Sequence, residues 1–159
     1  MKRMPRNRIA REAIKAWRLT AVCIAVIGWL AATVAIYFFR HLEWPTLVSV
    51  ILVLVGILST YLIVFHIPSL RWRRWRYEVF DKEIFVQYGL LVVTQTLIPM
   101  ARIQHVDTKQ GPILKRYHLS NVTISTAATT HIIPALLEED ATELRDRISA
   151  LARMDEDDV

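Results

Sequence analysis

Two long apolar runs dominate the first half of the chain. Residues 19–39 and 46–67 contain no Asp, Glu, Lys or Arg. Each run is long enough to cross a hydrocarbon core as a helix, which takes about 20 residues. Only residues 40–45 separate them, so we predict a transmembrane helical hairpin joined by a short turn. The length of the first run and the second run that follows it disfavour a cleavable signal peptide.

The interiors of the two runs are almost free of ionisable groups. His66, near the end of the second run, is the only Asp, Glu, Lys, Arg or His in them. Ion and proton pathways need polar groups inside the membrane, so a channel or transporter is not expected. Small residues recur at helical spacing and allow close helix packing, either within the hairpin or at a dimer seam. They are Ala21, Ala25, Gly28, Ala32, Gly56 and Thr60.

The hydrophobic pattern changes after residue 76. Short stretches with a period of two, bounded by turn residues, are typical of antiparallel strands. We predict strands at 77–80, 83–88, 91–98, 103–110, 121–126 and 131–136, and a loop or helical turn at 113–118.

The last element is predicted to be an amphipathic helix. An apolar stripe recurs at intervals of three and four, formed by Ala141, Leu144, Ile148 and Leu151. Asp140 is placed to act as its N-cap, with Glu143 completing a capping box. The fold expected for the soluble part is therefore mainly β: an antiparallel curved sheet or partly open barrel, capped by a C-terminal helix.

Charge is distributed unevenly along the chain. The net charge is +5, but residues 1–18 hold seven basic groups against one acid, whereas residues 135–159 hold nine acids against three arginines. We therefore divide the chain into four parts: a basic N-terminus (1–18), the hairpin (19–67), the soluble domain (71–154) and an acidic, disordered tail (155–159).

Basic residues beside membrane spans favour the cytoplasmic side. Here they precede the first span and follow the second. We therefore expect an integral protein of the plasma (inner) membrane with both termini and the soluble domain in the cytoplasm. Tryptophans lie at the same borders and are expected to anchor the chain at the headgroup level. They are Trp17, Trp44, Trp72 and Trp75.

Two groups of basic residues are candidates for binding. The first follows the second span and suits contact with anionic lipid headgroups, or serves as a topology signal: Arg71, Arg73, Arg74 and Arg76. The second flanks a Gly-Pro loop and suits a headgroup or peptide pocket, or is an ordinary solvated loop: Lys109, Lys115 and Arg116. Because the basic residues are tied to the membrane, no nucleic-acid partner is expected.

One His/Asp group is a candidate for chemistry. His105 and Asp107 are two residues apart on a predicted strand and share a face; His118 follows. A catalytic metal usually takes three protein ligands. No nucleophile elbow, HExxH, P-loop or paired-cysteine motif is present, and Cys23 is the only cysteine. We predict no catalytic residue, metal or cofactor.

The chain resembles the YdbS-like group of small membrane proteins with a bacterial pleckstrin-homology (PH) domain. The resemblance covers roughly residues 17–153. It implies a PH-like fold and a membrane location, but no established activity. An acidic turn at residues 81–83 argues against phosphoinositide recognition. The matching segments are Arg71-Trp72-Arg73-Arg74-Trp75-Arg76-Tyr77, Tyr88-Gly89, Ile98-Pro99, Arg102-Ile103-Gln104-His105-Val106 and Lys109-Gln110-Gly111-Pro112.

The function predicted from these observations is a non-enzymatic, membrane-anchored module. It would bind membrane lipids and a protein partner, or associate with itself, within a membrane complex. The alternative is a membrane enzyme or transport-accessory subunit that uses the His/Asp group. A purely structural role in the membrane is a third interpretation.

Overall fold

A computed structural model describes residues 5–157 of the chain, with side chains up to residue 154. The basic residues Lys2 and Arg3 and the last two residues of the acidic tail lie outside the described residues. Two compact units can be distinguished. Residues 17–69 form one, and the described residues before and after them form the other.

The first unit is a helical hairpin. Helix α1 spans Ala13–His41, and α2 spans Thr46–Tyr61. A π-helical turn, Leu62–His66, continues directly into α3, Ile67–Arg74. Both long helical stretches are apolar enough to cross a membrane, and each predicted span lies within one of them. Their most apolar windows are only 6% buried, as expected for helices that face lipid.

Small residues let the two long helices of the hairpin pack closely. The Trp29 indole Nε1 donates a 3.0 Å hydrogen bond to Thr60 Oγ1 across the hairpin. A Cβ added at Gly56 would lie only 3.2 Å from the Trp29 ring. The small residues at positions 56 and 60 therefore form a seam within one hairpin, which is one of the two packings that the sequence predicts.

The second unit contains two antiparallel sheets. The four-stranded sheet has the order β1-β2-β3-β4, and the three-stranded sheet the order β5-β6-β7. The strands are β1 Asn7–Arg8, β2 Arg76–Val79, β3 Glu83–Tyr88, β4 Thr94–Pro99, β5 Ile103–Lys109, β6 Leu119–Thr126 and β7 Thr130–Leu137. The expectation of antiparallel sheets followed by a C-terminal helix is confirmed, and the seven described strands do not form a closed barrel.

Helix α5, Glu138–Asp157, packs against the three-stranded sheet and buries three of the four residues of the predicted stripe, whereas Leu151 is half-buried. Ala141 and Ile148 are fully buried and Leu144 nearly so. The predicted cap at Asp140 is wrong because the helix begins earlier, at Glu138. The Glu138 backbone N–H donates a hydrogen bond to the His118 carbonyl. The helix also continues into the segment expected to be a disordered tail, as far as Asp157.

The N-terminal segment is part of the soluble domain and not only a flank of the first membrane helix. Strand β1 pairs with β2, with Asn7 opposite Tyr77 and Arg8 opposite Arg76. Ile9 is 2% exposed, and Pro5, Ala13 and Ala16 are also buried. The soluble domain thus includes residues on both sides of the hairpin in the sequence.

The N-terminal segment also connects the two sheets. The Ala10 N–H donates a 3.2 Å hydrogen bond to the Ala135 carbonyl in β7. Pro134 has no N–H for the ladder, and the β6–β7 register shifts beside it. The Asn121 side chain compensates by accepting the Ala135 N–H at 2.9 Å. This β-bulge leaves the Ala135 carbonyl available to the N-terminal segment.

The β3–β4 connection differs from the sequence-based prediction. A strand was expected to begin at residue 91, but β4 begins at Thr94. Residues 89–93 form a loop that starts at Gly89, whose φ is 128°. Only glycine adopts such a backbone conformation readily. The Val-rich sequence that favours a strand therefore lies in an exposed turn.

Candidate lipid-headgroup site

The strand pair β1–β2 brings together two basic segments that are far apart in the sequence. One precedes the first membrane helix, and the other follows the second. Arg8 and Arg76 are register partners, so the two basic segments lie side by side in the second unit. The hairpin topology with both flanks on one side of the membrane stays a prediction, and this pairing is consistent with it.

Two arginines gather around one tryptophan. The guanidinium carbons of Arg8 and Arg11 lie 5.7 Å and 5.9 Å from the centre of the Trp72 ring, within cation–π range. Arg76 lies opposite Arg8 in the antiparallel ladder, where paired side chains point to the same face. We call Arg8, Arg11, Trp72 and Arg76 the juxtamembrane cluster.

The backbone holds Trp72 in place. Its indole Nε1 donates a 3.1 Å hydrogen bond to the Ile9 carbonyl, one residue beyond β1. The Ile9 side chain is buried, so the segment that carries Arg8 and Arg11 is fixed at this point. The tryptophan therefore joins α3 to the N-terminal segment, in addition to its predicted place at a membrane border.

The positive charge of the juxtamembrane cluster is not balanced by any carboxylate whose position the structure describes. Among the described residues, no carboxylate forms an ion pair with Arg8, Arg11 or Arg76. Like charges directly opposite each other on neighbouring strands repel. Arg8 and Arg11 are exposed and Arg76 is half-buried, so an anion from outside can reach them. The arrangement suits a phosphate group, which arginine binds through several N–H donors.

The other predicted headgroup residues have a simpler explanation. Arg71, Arg73 and Arg74 occupy the last turn of α3. Cations are favourable at a helix C-terminus because they face the negative end of the helix dipole. Of the four arginines predicted after the second span, only Arg76 is placed in register with a basic residue of the N-terminal segment.

The predicted loop group, Lys109, Lys115 and Arg116, does not form a comparable cluster. Lys109 ends β5, and Lys115 and Arg116 lie in the last turn of the short helix α4, Pro112–Arg116. All three side chains are exposed, and the structure gives them no aromatic partner. The predicted helical turn in this region is confirmed.

The predicted His/Asp group is divided. His105 Nε2 lies 3.0 Å from Asp107 Oδ1, as expected for residues on one strand face, but both side chains are exposed. His118 precedes β6, beyond the end of the ladder at which Lys109 pairs with Asn121. Across the described part of the chain, no group of three potential ligands is arranged to hold a metal.

Two aromatic residues just after α3 belong to the domain core. Trp75 is 7% exposed and stacks on Tyr88 with ring centres 5.4 Å apart, so its predicted place at the headgroup level is wrong. Tyr77 is also buried. Burial raises the pKa of the Tyr77 hydroxyl, and the carboxylates of Asp140 and Glu143 raise it further.

Sequence reasoning missed Arg8 and Arg11 as site residues. The sequence pattern places them only in the basic N-terminus. One weak signal was present: Ile9, Ala13 and Ala16 follow a helix-like spacing before the apolar run begins, and all three are buried. Such a stripe indicates that the flank packs on something.

Comparisons with known proteins agree with this architecture. Residues 9–152 match the protein family described as Bacterial PH domain. The chain is 48% identical to UPF0699 transmembrane protein YdbS of Bacillus subtilis (strain 168), over the full length of both proteins. It is 30% identical over 93 residues to UPF0699 transmembrane protein YdbT of the same organism, which covers 58% of this chain and 18% of that protein. No solved structure matches the chain.

Proposed function

We propose a function for this chain, which belongs to the Bacterial PH domain family: it is a non-enzymatic, membrane-anchored module that binds anionic lipid headgroups of the cytoplasmic leaflet. The hairpin anchors the domain in the membrane. The juxtamembrane cluster then contacts the phosphates beside it. Neither relative's name mentions an enzymatic activity.

A single observation carries this proposal. The β1–β2 register places Arg8 directly opposite Arg76, with Arg11 near the same tryptophan and no carboxylate partner for any of them among the described residues. A fold that only needed a topology signal would not need this pairing. A lipid phosphate between the guanidinium groups would offset their repulsion.

The full chain reconstituted into bilayers tests the proposal. Electron paramagnetic resonance of spin-labelled phosphatidylglycerol and phosphatidylcholine gives the relative association of each lipid with the protein. We expect a preference for phosphatidylglycerol that falls in the double variant Arg8→Gln/Arg76→Gln. A basic residue near an anionic surface contributes about 1 kcal/mol, so the loss should be up to about fivefold per arginine.

The second basic group provides a matched control. The double variant Lys115→Gln/Arg116→Gln removes the same charge from exposed positions in α4. It should keep the lipid preference of the unmodified chain. Equal losses in the two double variants would show that net charge alone sets the preference and would refute a specific site.

The cytoplasmic orientation is part of the proposal. It is supported by the basic residues beside both spans, which favour the cytoplasmic side. A Lys115→Cys variant on a Cys23→Ala background should react with a membrane-impermeant maleimide only after the cell membrane is opened. Labelling in intact cells would place the domain outside.

A protein partner is a second candidate function, favoured by the free edge of β4. No described strand pairs with its outer side, and Leu97 in β4 is 46% exposed. A 620 Å³ groove runs beside this strand as far as the β6–β7 turn and His131. An extended peptide can add to such an edge through backbone hydrogen bonds.

Site-specific photocrosslinking tests for this partner. A photoreactive residue at position 97 should capture one defined protein, or a second copy of the chain, in native membranes. The same residue at position 82, in the β2–β3 turn, should not. Absence of any captured protein at position 97 would argue against strand addition at this edge.

A further inference from the structure

The β3–β4 loop carries the two most exposed large apolar side chains that the structure describes. Leu91 is 92% exposed, Val92 is 78% exposed and Val93 is 45% exposed. No charged residue lies within residues 89–93. Single exposed apolar residues are ordinary, but three in succession at a loop tip indicate a surface that meets an apolar partner.

The sheet topology places this loop at the end of the sheet where the chain leaves the second membrane helix. Strand β2 begins two residues after α3 ends, and Arg76 pairs with Gln87 near the end of β3. Tyr88 then pairs with Thr94 at the start of β4. The loop between them therefore lies at the same end of the sheet as Arg76.

The base of the loop is fixed to the segment that follows the helix. Trp75, the first residue after α3, stacks on Tyr88, the last residue of β3. At the next position, the side chains of Gln87 and Gln95 form a 3.2 Å hydrogen bond across the hairpin. These contacts hold the loop close to the point where the chain leaves the membrane-spanning helix.

The backbone of the loop forms a tight turn that depends on Gly89. Gly89 has a φ of 128°, and a Cβ at this position would overlap the Val92 carbonyl oxygen. The tight turn that glycine permits directs the following leucine and valines outward. Exposure of these side chains to water is unfavourable, and their transfer into an apolar phase is favourable.

We propose that residues 91–93 insert into the bilayer interface and form a membrane contact additional to the two helices. The bilayer is the occupant because this end of the sheet adjoins the exit of a membrane-spanning helix. The contact would fix the orientation of the domain on the membrane surface. It is driven by apolar burial, so it does not depend on the headgroup charge that the proposed function requires.

A single-cysteine fluorescence experiment tests the proposal in the full chain. Cys23 is the only cysteine, so Cys23→Ala/Val92→Cys can be labelled with an environment-sensitive dye at one position. In phosphatidylcholine vesicles we expect blue-shifted emission and strong quenching by lipids that carry a nitroxide on the acyl chain. Cys23→Ala/Asp81→Cys places the dye in the turn at the opposite end of the same sheet and should show neither effect.

Three results would overturn the proposal. Quenching of the position 92 dye by aqueous iodide, as at position 81, would show a loop in water. A blue shift without quenching by the lipid nitroxide would show that protein, such as a second copy, covers the loop. Lipid quenching seen only when phosphatidylglycerol is present would assign the contact to headgroup charge. A dye at Leu91→Cys, measured in the same way, guards against a local effect of one substitution.

Discussion

Two groups of basic residues in this chain look alike in the sequence but differ in the fold. The juxtamembrane cluster combines Arg8 with Arg76 in strand register, around a tryptophan held by a backbone hydrogen bond. The loop group, with Lys115 and Arg116 in α4, consists of exposed side chains that form no cation–π contact with any aromatic residue that the structure describes. Charge density alone therefore does not identify a site. A backbone that forces like charges together, without neutralising them, is the more specific sign.

The difference depends on the N-terminal segment. Without β1, Arg76 would be one of several arginines at a helix end, as Arg71 and Arg73 are. The two basic segments become one cluster only because the strand before the hairpin pairs with the strand after it. The membrane hairpin and the soluble domain are thus interleaved in the sequence.

The largest expected effect comes from breaking the packing of the N-terminal segment. Ile9 is 2% exposed, and truncating a buried isoleucine to alanine costs about 2–5 kcal/mol. Ile9→Ala should lower the free energy of unfolding of the soluble domain by this amount, measured by pulse proteolysis in detergent. The exposed Arg6→Ala change should stay within about 0.5 kcal/mol. Equal stability of the two variants would mean that the segment does not pack on the domain.

A smaller effect is expected at Trp72. Trp72→Phe removes the hydrogen bond to the Ile9 carbonyl but keeps an aromatic face, and should cost about 1 kcal/mol of domain stability. Trp72→Ala also removes the two cation–π contacts and should cost about 1 kcal/mol more. The same unfolding assay checks this order. If both variants matched the unmodified chain, the tryptophan would not join the two segments.

The smallest effect concerns Tyr77, next to Arg76 in β2. Its raised pKa means that the folded state resists loss of the hydroxyl proton more than the unfolded state, whose pKa is 10.0. The Tyr77 hydroxyl therefore has no effect on stability well below pH 10.0, and it lowers stability as the pH rises through 10.0 towards the folded-state pKa. Tyr77→Phe should show a smaller alkaline loss in unfolding experiments above pH 10.0. An identical alkaline profile for both proteins would contradict the burial of this hydroxyl.

Much of the fold could be predicted because it rests on long, repeated patterns. The two apolar runs predict the hairpin, and the stripe containing Ala141 and Ile148 predicts the C-terminal helix. The strand predicted at 83–88 has the observed bounds. In each case, the hydrophobic pattern extends over enough residues to be recognised in the sequence.

The remainder depends on tertiary contacts that leave a short sequence signal or a misleading one. Strand β1 has two residues, too few to show a period, and its partner is nearly 70 positions away. Residues 91–93 have high strand propensity, but the turn at Gly89 places them in a loop. The predicted cap at Asp140 failed because β7 leads directly into α5. Two of the four residues of the juxtamembrane cluster, Arg8 and Arg11, could therefore not be predicted as site residues from the sequence.

A disulfide trap tests the central claim, that the strand before the hairpin pairs with the strand after it. Paired residues in an antiparallel ladder have Cα atoms about 4.5–5.5 Å apart, within the range that a disulfide can bridge. Arg8→Cys/Arg76→Cys on a Cys23→Ala background should form an intramolecular disulfide in isolated membranes under mild oxidation. Lys15→Cys/Arg76→Cys, which moves the first cysteine into α1, should not. Equal yields, or none at positions 8 and 76, would contradict the pairing and the cluster built on it.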